Sequence, residues 1–364
     1  MKMIHCADLH LDSKMSANLS KEQAKERKNE ILRTFVHIVE YAAANEVRAI
    51  LIAGDLFDIR NVSAMARNYV REMIVGHPEI DFLYLKGNHD NDNFLSKLDE
   101  IPENLKLFED TWTSYSYEDG KIVVSGLELS EKNQPYVYNS LVLDPNVYNI
   151  VTLHGQAGEY RGKNNAQSIS LANLRNKNID YLALGHVHSY VCDKLDARGI
   201  YCYPGCPEGR GFDECGTKGF VVLDIDVDAR RATTSFISCA NRTLYTIPVD
   251  VTGVTSTNEA AKRIEEEINR QPYPTNSLVK IELTGGLNVE CELNIDYLQE
   301  LFAGYFYFVK LEDSTGLLIN YSDYEKDESL KGEFVRMVMN SDMDEEKKCE
   351  VIRCGIMALS GEEL

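Results

Sequence analysis

The stretch "DFLYLKGNHDNDN", residues 81–93, decides how this chain is read. "DFLYL" has the aromatic and apolar content of a short strand bounded by polar residues. Gly87 is placed for a sharp turn at the strand's end, and three polar side chains, Asn88, His89 and Asp90, follow at once. By itself this is also a plain Gly-Asn turn, in which Asn88 tolerates positive φ and His89 is incidental. What separates the two readings is whether other strands end in the same way.

They do. "IHCADLHLD" carries Asp8 and His10, "AILIAGDLFD" carries Asp55, "VTLHG" carries His154, and "LALGHVH" carries His186 and His188. An Asp-x-His pair recurs by chance, and a lone histidine at a strand end is commonly a structural residue. Five of the chain's eight histidines in such places is a different matter. On a strand, residues i and i+2 point to the same side, so Asp8 with His10, and His186 with His188, can each converge on one point. Strand ends along one edge of an α/β sheet are where sites are assembled.

The candidate donors are the carboxylates of Asp8 and Asp55, the imidazoles of His10, His154, His186 and His188, and the amide oxygen of Asn88. This mixture suits borderline divalent metals such as manganese, iron or zinc, whereas magnesium favours an all-oxygen set. Seven donors are too many for one ion with an open position and suit two ions that share a bridging carboxylate. Two metals roughly 3.5–4 Å apart would clamp a phosphate ester and lower the pKa of a water between them. The expected chemistry is phosphoester hydrolysis.

Composition sets the limits. At 364 residues the chain calls for more than one domain, and 44% hydrophobic with 26% charged residues describes an ordinary globular protein. No apolar run approaches the roughly 20 residues that span a bilayer. "MKMIHCADLHLDS" lacks the sustained apolar core of a leader, so the expectation is no membrane and a cytoplasmic location. Nine scattered cysteines point to reduced thiols, and the spacing in "CYPGCPEGRGFDEC" fits no usual zinc knuckle. A net charge of −20 argues against coating nucleic acid by bulk electrostatics, though bound cations and a local basic stripe can reverse the field at a site.

Along the chain, Ser20 with Gln23 makes a capping box for a helix running to about residue 45, and Ile31, Phe35, Ile38 and Ala42 recur at helical spacing. Early α/β alternation, then strands, predicts an α+β fold: a four-layer αββα sandwich of two mixed sheets flanked by helices. A small C-terminal α/β accessory domain and terminal helices follow. The expected divisions are 1–245, 246–325 and 326–364.

The ordered series Asp-x-His, Gly-Asp, Gly-Asn-His-Asp, His and Gly-His-x-His resembles the calcineurin-like metallophosphoesterases over roughly residues 1–245. Within that family "IHCADLHLDS", "AGDLFD", "DYLALGHVH" and "YPGCPEGRGFDECGTKGF" are most similar to SbcD- and YhaO-type DNA repair exonucleases. The resemblance implies that Asp8, His10 and His188 hold one metal, that Asn88, His154 and His186 hold the other, and that Asp55 bridges them. It implies two divalent ions, with manganese expected and iron(II) or zinc(II) as alternatives. His89 would assist in-line attack on phosphorus from outside the ligand set, with Asp90 placed to orient it. Some nucleases of the group have a histidine three residues after the bridging aspartate; here that position is Asp58.

Lys14, Lys21, Lys25, Arg27 and Lys28 follow the first motif and could meet a DNA backbone, or simply form a solvated helix face. Arg161 and Lys163, beside Tyr160 for base stacking, are expected substrate contacts, with Arg210 as another. The stripe Cys349, Ile352, Ile356 and Leu359 either packs on the protein's own core or, as the resemblance implies, docks on an SMC-like (SbcC-type) ATPase. The helix near "ARNYVREMIV" could support a homodimer. The expected function is a two-metal DNA exo/endonuclease subunit in repair. The alternatives are a small-molecule phosphodiesterase or phosphatase on the same fold, or a scaffold without catalysis, against which the full set of ligand-type residues argues.

Overall fold

The computed structural model describes residues 1–15, 19–58, 62–90, 94–98, 100–158, 168–288, 291–318, 324 and 327–360. Two compact units divide the chain at residues 243/244.

The first unit runs β1 (Lys2–Cys6), α1 (Lys21–Ala44), β2 (Val47–Ala53), α2 (Ala64–Gly76), β3 (Asp81–Leu85), β4 (Leu105–Leu107), β5 (Thr113–Tyr117) and β6 (Ile122–Gly126). It continues with α3 (Val137–Ser140), β7 (Tyr148–His154), β8 (Gln156–Ala157), β9 (Ser168–Ile169), α4 (Leu171–Leu174), β10 (Tyr181–Gly185), β11 (Val191–Lys194), β12 (Ile200–Tyr203), β13 (Gly219–Asp226) and β14 (Arg231–Ser238). Two six-stranded sheets result, ordered β14-β13-β1-β2-β3-β4 and β11-β12-β10-β7-β6-β5. Both are mixed. β1 to β4 are parallel with an antiparallel β13, and β6, β7, β10 and β12 are parallel with antiparallel β5 and β11 at the edges.

Strand alternation explains the layers. In β2, Ala49 and Leu51 face the second sheet, where they meet Ile150 and Ala183, while Ile50 and Ile52 face the helices. In β10, Tyr181 and Ala183 join that inter-sheet core, while Leu182 and Leu184 turn outward onto Val137 and Leu174 of the two short helices. Helix α1 starts at the predicted capping box, with Ser20 Oγ accepting from Gln23 N and Gln23 Oε1 accepting from Ser20 N, each at 3.1 Å. It lays Ile31, Phe35, Ile38 and Ala42 on the first sheet. Full burial of each large apolar side chain there is worth about 1.5–3 kcal/mol.

This layering brings the carboxyl ends of β1, β2 and β3 in one sheet alongside those of β7 and β10 in the other. Every predicted strand-end motif emerges there.

The second unit holds the parallel sheet β15 (Leu244–Asp250), β16 (Leu278–Thr284) and β18 (Phe308–Asp313), with the short pair β17 (Gly286–Asn288) and β19 (Gly316–Leu318). Helices α5 (Thr257–Ile268) and α6 (Ile295–Phe302) bury Ile264, Leu298 and Phe302 in its core. The terminal helices α7 (Leu330–Met339) and α8 (Glu345–Ser360) pack on each other through Val335, Val338, Ile352 and Ile356. No described helix is long and apolar enough to cross a membrane.

Candidate metal centre

The strand-end residues converge, but not by the strand alternation that the sequence suggests. β1 ends at Cys6 and β10 at Gly185, so Asp8, His10, His186 and His188 lie beyond the strands. Four of the site residues are held in backbone conformations rare for side-chain-bearing residues, with φ of 53° at Asp8, 46° at His10, 53° at Asp55 and 102° at His186. Each such residue costs on the order of 1–3 kcal/mol and persists only where its surroundings over-determine it. Here they do. His186 N donates to both carboxylate oxygens of Asp8 at 2.9 and 3.0 Å, and Asp8 N and His10 N donate to Gly54 O and Asp55 O at 3.0 Å.

Gly87 also plays a different part from the expected turn. Its φ is not in the left-handed region; what it supplies is space. A Cβ at Gly87 would stand 2.2 Å from Asp55 Oδ1 and 2.5 Å from Asp55 N. That close approach lets His89 N donate to Asp55 Oδ1 at 2.8 Å and carries Asn88 to the site.

The donor atoms form one continuous group. Asp8, His10 and His188 offer ligand atoms within 4.8 Å of one another, and so do Asp8, Asp55 and His154. His10 Nε2 and His188 Nε2 are 3.1 Å apart. Asn88 Oδ1 lies 3.0 Å from His154 Nε2 and 3.2 Å from His186 Nδ1. Asp55 Oδ2 stands between the two groups, 3.9 Å from His10 Nε2 and 3.3 Å from His154 Nε2.

The hydrogen bonds behind the rings set which nitrogen is free. His154 Nδ1 donates to Ala53 O at 2.9 Å, and His188 Nδ1 donates to Glu214 Oε1 at 2.6 Å. His10 Nδ1 lies 3.2 Å from Asp58 Oδ1, at an angle too oblique for a well-formed hydrogen bond. The bonds to Ala53 and Glu214 turn Nε2 of His154 and of His188 inward. Imidazole nitrogens, carboxylates and an amide oxygen crowded together at about hydrogen-bond distance suit a cation, which would take the place of the proton that Asp55 and Asp8 favour on His154. The residues present therefore fit divalent metals.

Titration behaviour follows the same crowding. Burial raises the Asp8 carboxyl to about 6, against the pull of His154. Burial also opposes ionisation of Asp55, but the hydrogen bond and charge of His154 overcome it and lower Asp55 to about 2. Burial opposes protonation of His154 too, yet Asp55 and Asp8 raise it to about 9. Desolvation lowers His10 and His186, whereas the Glu214 carboxylate raises His188.

His89 stands at the rim with its side chain 45% exposed. Its ring meets His10 edge to face at 5.0 Å between centroids. The expected brace on His89 is Asp90, and the structure corrects this. Asp90 accepts from Leu56 N at 3.1 Å, Phe57 N at 2.9 Å and Gly87 N at 3.0 Å, tying the β2 and β3 loops together. Its burial raises its carboxyl to about 6. The carboxylate beside His89 is Asp58, whose Oδ1 is 3.4 Å from His89 Nδ1. Ser13 Oγ donates to Asp58 Oδ2 at 2.7 Å, and the nearby His10 imidazole is the main cause that holds Asp58 well below the usual carboxylate range.

Arg210 is corrected as well. Its guanidinium donates to Asp58 Oδ1 at 3.1 Å and to Glu214 Oε1 at 2.8 Å, so it is committed to the protein rather than free for substrate. Arg27, grouped with surface lysines in the sequence, is fully buried, donating to Glu30 at 2.5 Å and to Gly209 O at 2.8 Å, with Glu208 2.8 Å away. Tyr160, Arg161 and Lys163 lie outside the described residues. Glu214 had no sequence signal, because a loop brings it to His188 from 26 positions away.

An αββα sandwich with carboxylates and imidazoles gathered where the parallel strands of both sheets end defines a metal-dependent hydrolase of phosphate esters. A family model described as calcineurin-like phosphoesterase matches residues 1–190. The chain belongs to that family, whose members bind two divalent metals.

Its relatives include the uncharacterized metallophosphoesterase YhaO of Bacillus subtilis (strain 168), 27% identical over 249 residues. That match covers 64% of this chain and 60% of YhaO, so the chain spans less than two thirds of that relative. The DNA double-strand break repair protein Mre11 of Sulfolobus acidocaldarius is 23% identical over 325 residues, covering 83% of this chain and 79% of Mre11. Among solved structures, the protein TT1561 of Thermus thermophilus aligns at 14% identity and a TM-score of 0.40, covering 65% of this chain and 98% of that one.

Proposed function

We propose that the protein is a two-metal phosphodiesterase acting on DNA, a nuclease subunit of DNA repair. The observation that carries this reading is the extent of the Mre11 similarity. At 83% of the chain it is longer than the first unit, so it runs past the residues that build the site into the second unit. When bound, the two cations neutralise phosphate oxygens and acidify a water. The chain supplies the rest. His89, exposed to incoming substrate and braced at Nδ1 by Asp58, presents Nε2 to the leaving oxygen and protonates it. Manganese is the metal we assign, from the mixed nitrogen and oxygen donors.

We also assign α7 and α8, with Leu330 and Met337 exposed, to docking an SMC-like ATPase, and α2, with Met65 and Val75 exposed, to a homodimer contact. The net charge of −20 favours the second reading, a small phosphodiester as substrate. The test is manganese-dependent cleavage of labelled linear and hairpin DNA, run beside bis-p-nitrophenyl phosphate. DNA cleavage supports the nuclease. Hydrolysis of the small diester alone, even at low salt and with the ATPase added, overturns it in favour of the second reading.

A further inference from the structure

The two halves of the centre are built differently. Behind the Asp8–His10–His188 half stand two carboxylates, Asp58 at 3.2 Å from His10 Nδ1 and Glu214 at 2.6 Å from His188 Nδ1. Arg210 joins these carboxylates, at 3.1 Å to Asp58 and 2.8 Å to Glu214. His188 is gripped at its backbone as well, where Lys218 Nζ donates to His188 O at 2.7 Å. The segment bearing Arg210 and Glu214 is fastened in turn. Arg27 holds Gly209 O and Glu208, and Asn241 N donates to Glu208 Oε2 at 2.6 Å.

The other half has no such backing. His154 donates to the neutral carbonyl of Ala53, and His186 has no carboxylate partner for its ring among the described residues. Asn88 contributes a neutral oxygen. His10 and His154 are buried, His186 and His188 are half-buried, and Asn88 is exposed.

A carboxylate behind an imidazole fixes the ring and makes its free nitrogen a stronger donor. Removing such a partner typically weakens metal binding about 10–100-fold. We propose that Glu214, tied to Asp58 through Arg210, is a positioning residue that makes the Asp8–His10–His188 position the tighter one, so that it fills first and the Asn88–His154–His186 position exchanges. This rests on the two-metal reading above. Its consequence is that activity depends on the cation concentration that fills the weaker position.

The experiment is calorimetric titration of the metal-stripped 364-residue chain with manganese chloride, with bound metal counted after desalting. The wild type is expected to show a tight and a weak step. Glu214→Gln preserves shape, and it should weaken the tight step about 10–100-fold while leaving the weak step in place. His154→Gln should affect the weak step instead. Should Glu214→Gln not fold, Arg210→Gln, which keeps the Glu214–His188 contact, is expected to weaken the same step by less. Cobalt(II) gives a second readout, since its visible spectrum at one equivalent should change in Glu214→Gln and not in His154→Gln. Two equal steps in the wild type, or a Glu214→Gln effect spread over both steps or absent, overturns the proposal while leaving the nuclease reading standing. No bound cation at all overturns both.

Discussion

Gly185→Ala tests the way the two sheets meet. A Cβ at Gly185 would stand 1.8 Å from Ala53 O and 2.8 Å from His154 Nδ1, where real Cβ atoms essentially never come within 3.0 Å. The carbonyl must retreat by about 1.2 Å, the difference between 3.0 and 1.8 Å. It cannot do so freely, because Ala53 closes β2 and its oxygen is the acceptor that orients His154.

Two effects follow. Overpacking of this kind costs typically about 1–3 kcal/mol, the size of one buried apolar side chain's contribution. Misplacement by about 1 Å of a group that orients the reacting site costs on the order of 100-fold in rate. Gly185→Ala should therefore unfold at lower urea, bind one metal fewer at the His154 side, and lose about 100-fold in hydrolysis of bis-p-nitrophenyl phosphate. Gly76→Ala is the control. No atom lies within 4 Å of its Cβ and it sits in helix α2, so it should be neutral or stabilising by up to about 1 kcal/mol. A Gly185→Ala variant with wild-type metal content and rate would refute the packing argument.

His89→Ala should retain both metals and lose about 100- to 10,000-fold in rate, the range for a positioned general acid, measured by diester hydrolysis with metal counted in the same sample. Asp58→Asn should lower the rate less than His89→Ala does, with an unchanged urea midpoint excluding a misfolding artefact; a wild-type rate would contradict the brace on His89. Arg27→Met strips one cation from Glu30 and Glu208, which keep Arg242 and Asn241, so equilibrium urea unfolding should show a loss of about 1–3 kcal/mol; no measurable loss would contradict the buried network. Fully buried His5 has its pKa lowered to about 3 by desolvation. Between that value and the ordinary 6.5 only the unfolded chain takes up the proton, so stability is present above about 6.5 and falls as pH drops. By about pH 5 the loss is about 2 kcal/mol, and His5→Gln should remove that share of the decline in the metal-free protein.

The sequence disclosed most strands of the first unit and the polar residues that follow them, because hydrophobic periodicity and motif spacing are local signals, whereas the order of strands within each sheet came from the structure. Helix α1 was legible down to its cap, since Ser20 and Gln23 lie within one turn. The backbone of the site was not legible. Period-2 reasoning places side chains on strands, whereas Asp8 and His10 occupy left-handed turns beyond β1. The requirement for glycine at position 87 comes from the nearness of Asp55, a tertiary contact no local pattern encodes. Asp58, Arg210 and Glu214 form their cluster from segments up to 156 positions apart (Asp58 to Glu214), and Arg27 looks like any helix-face cation until Glu208 is brought against it.

The most direct test of the centre is anomalous diffraction at the manganese edge from crystals of the full chain grown with manganese. The account predicts two peaks, one within coordination distance of Asp8, His10 and His188, the other of Asn88, His154 and His186, with Asp55 touching both. A single peak outside these residues, or none at all, would contradict it.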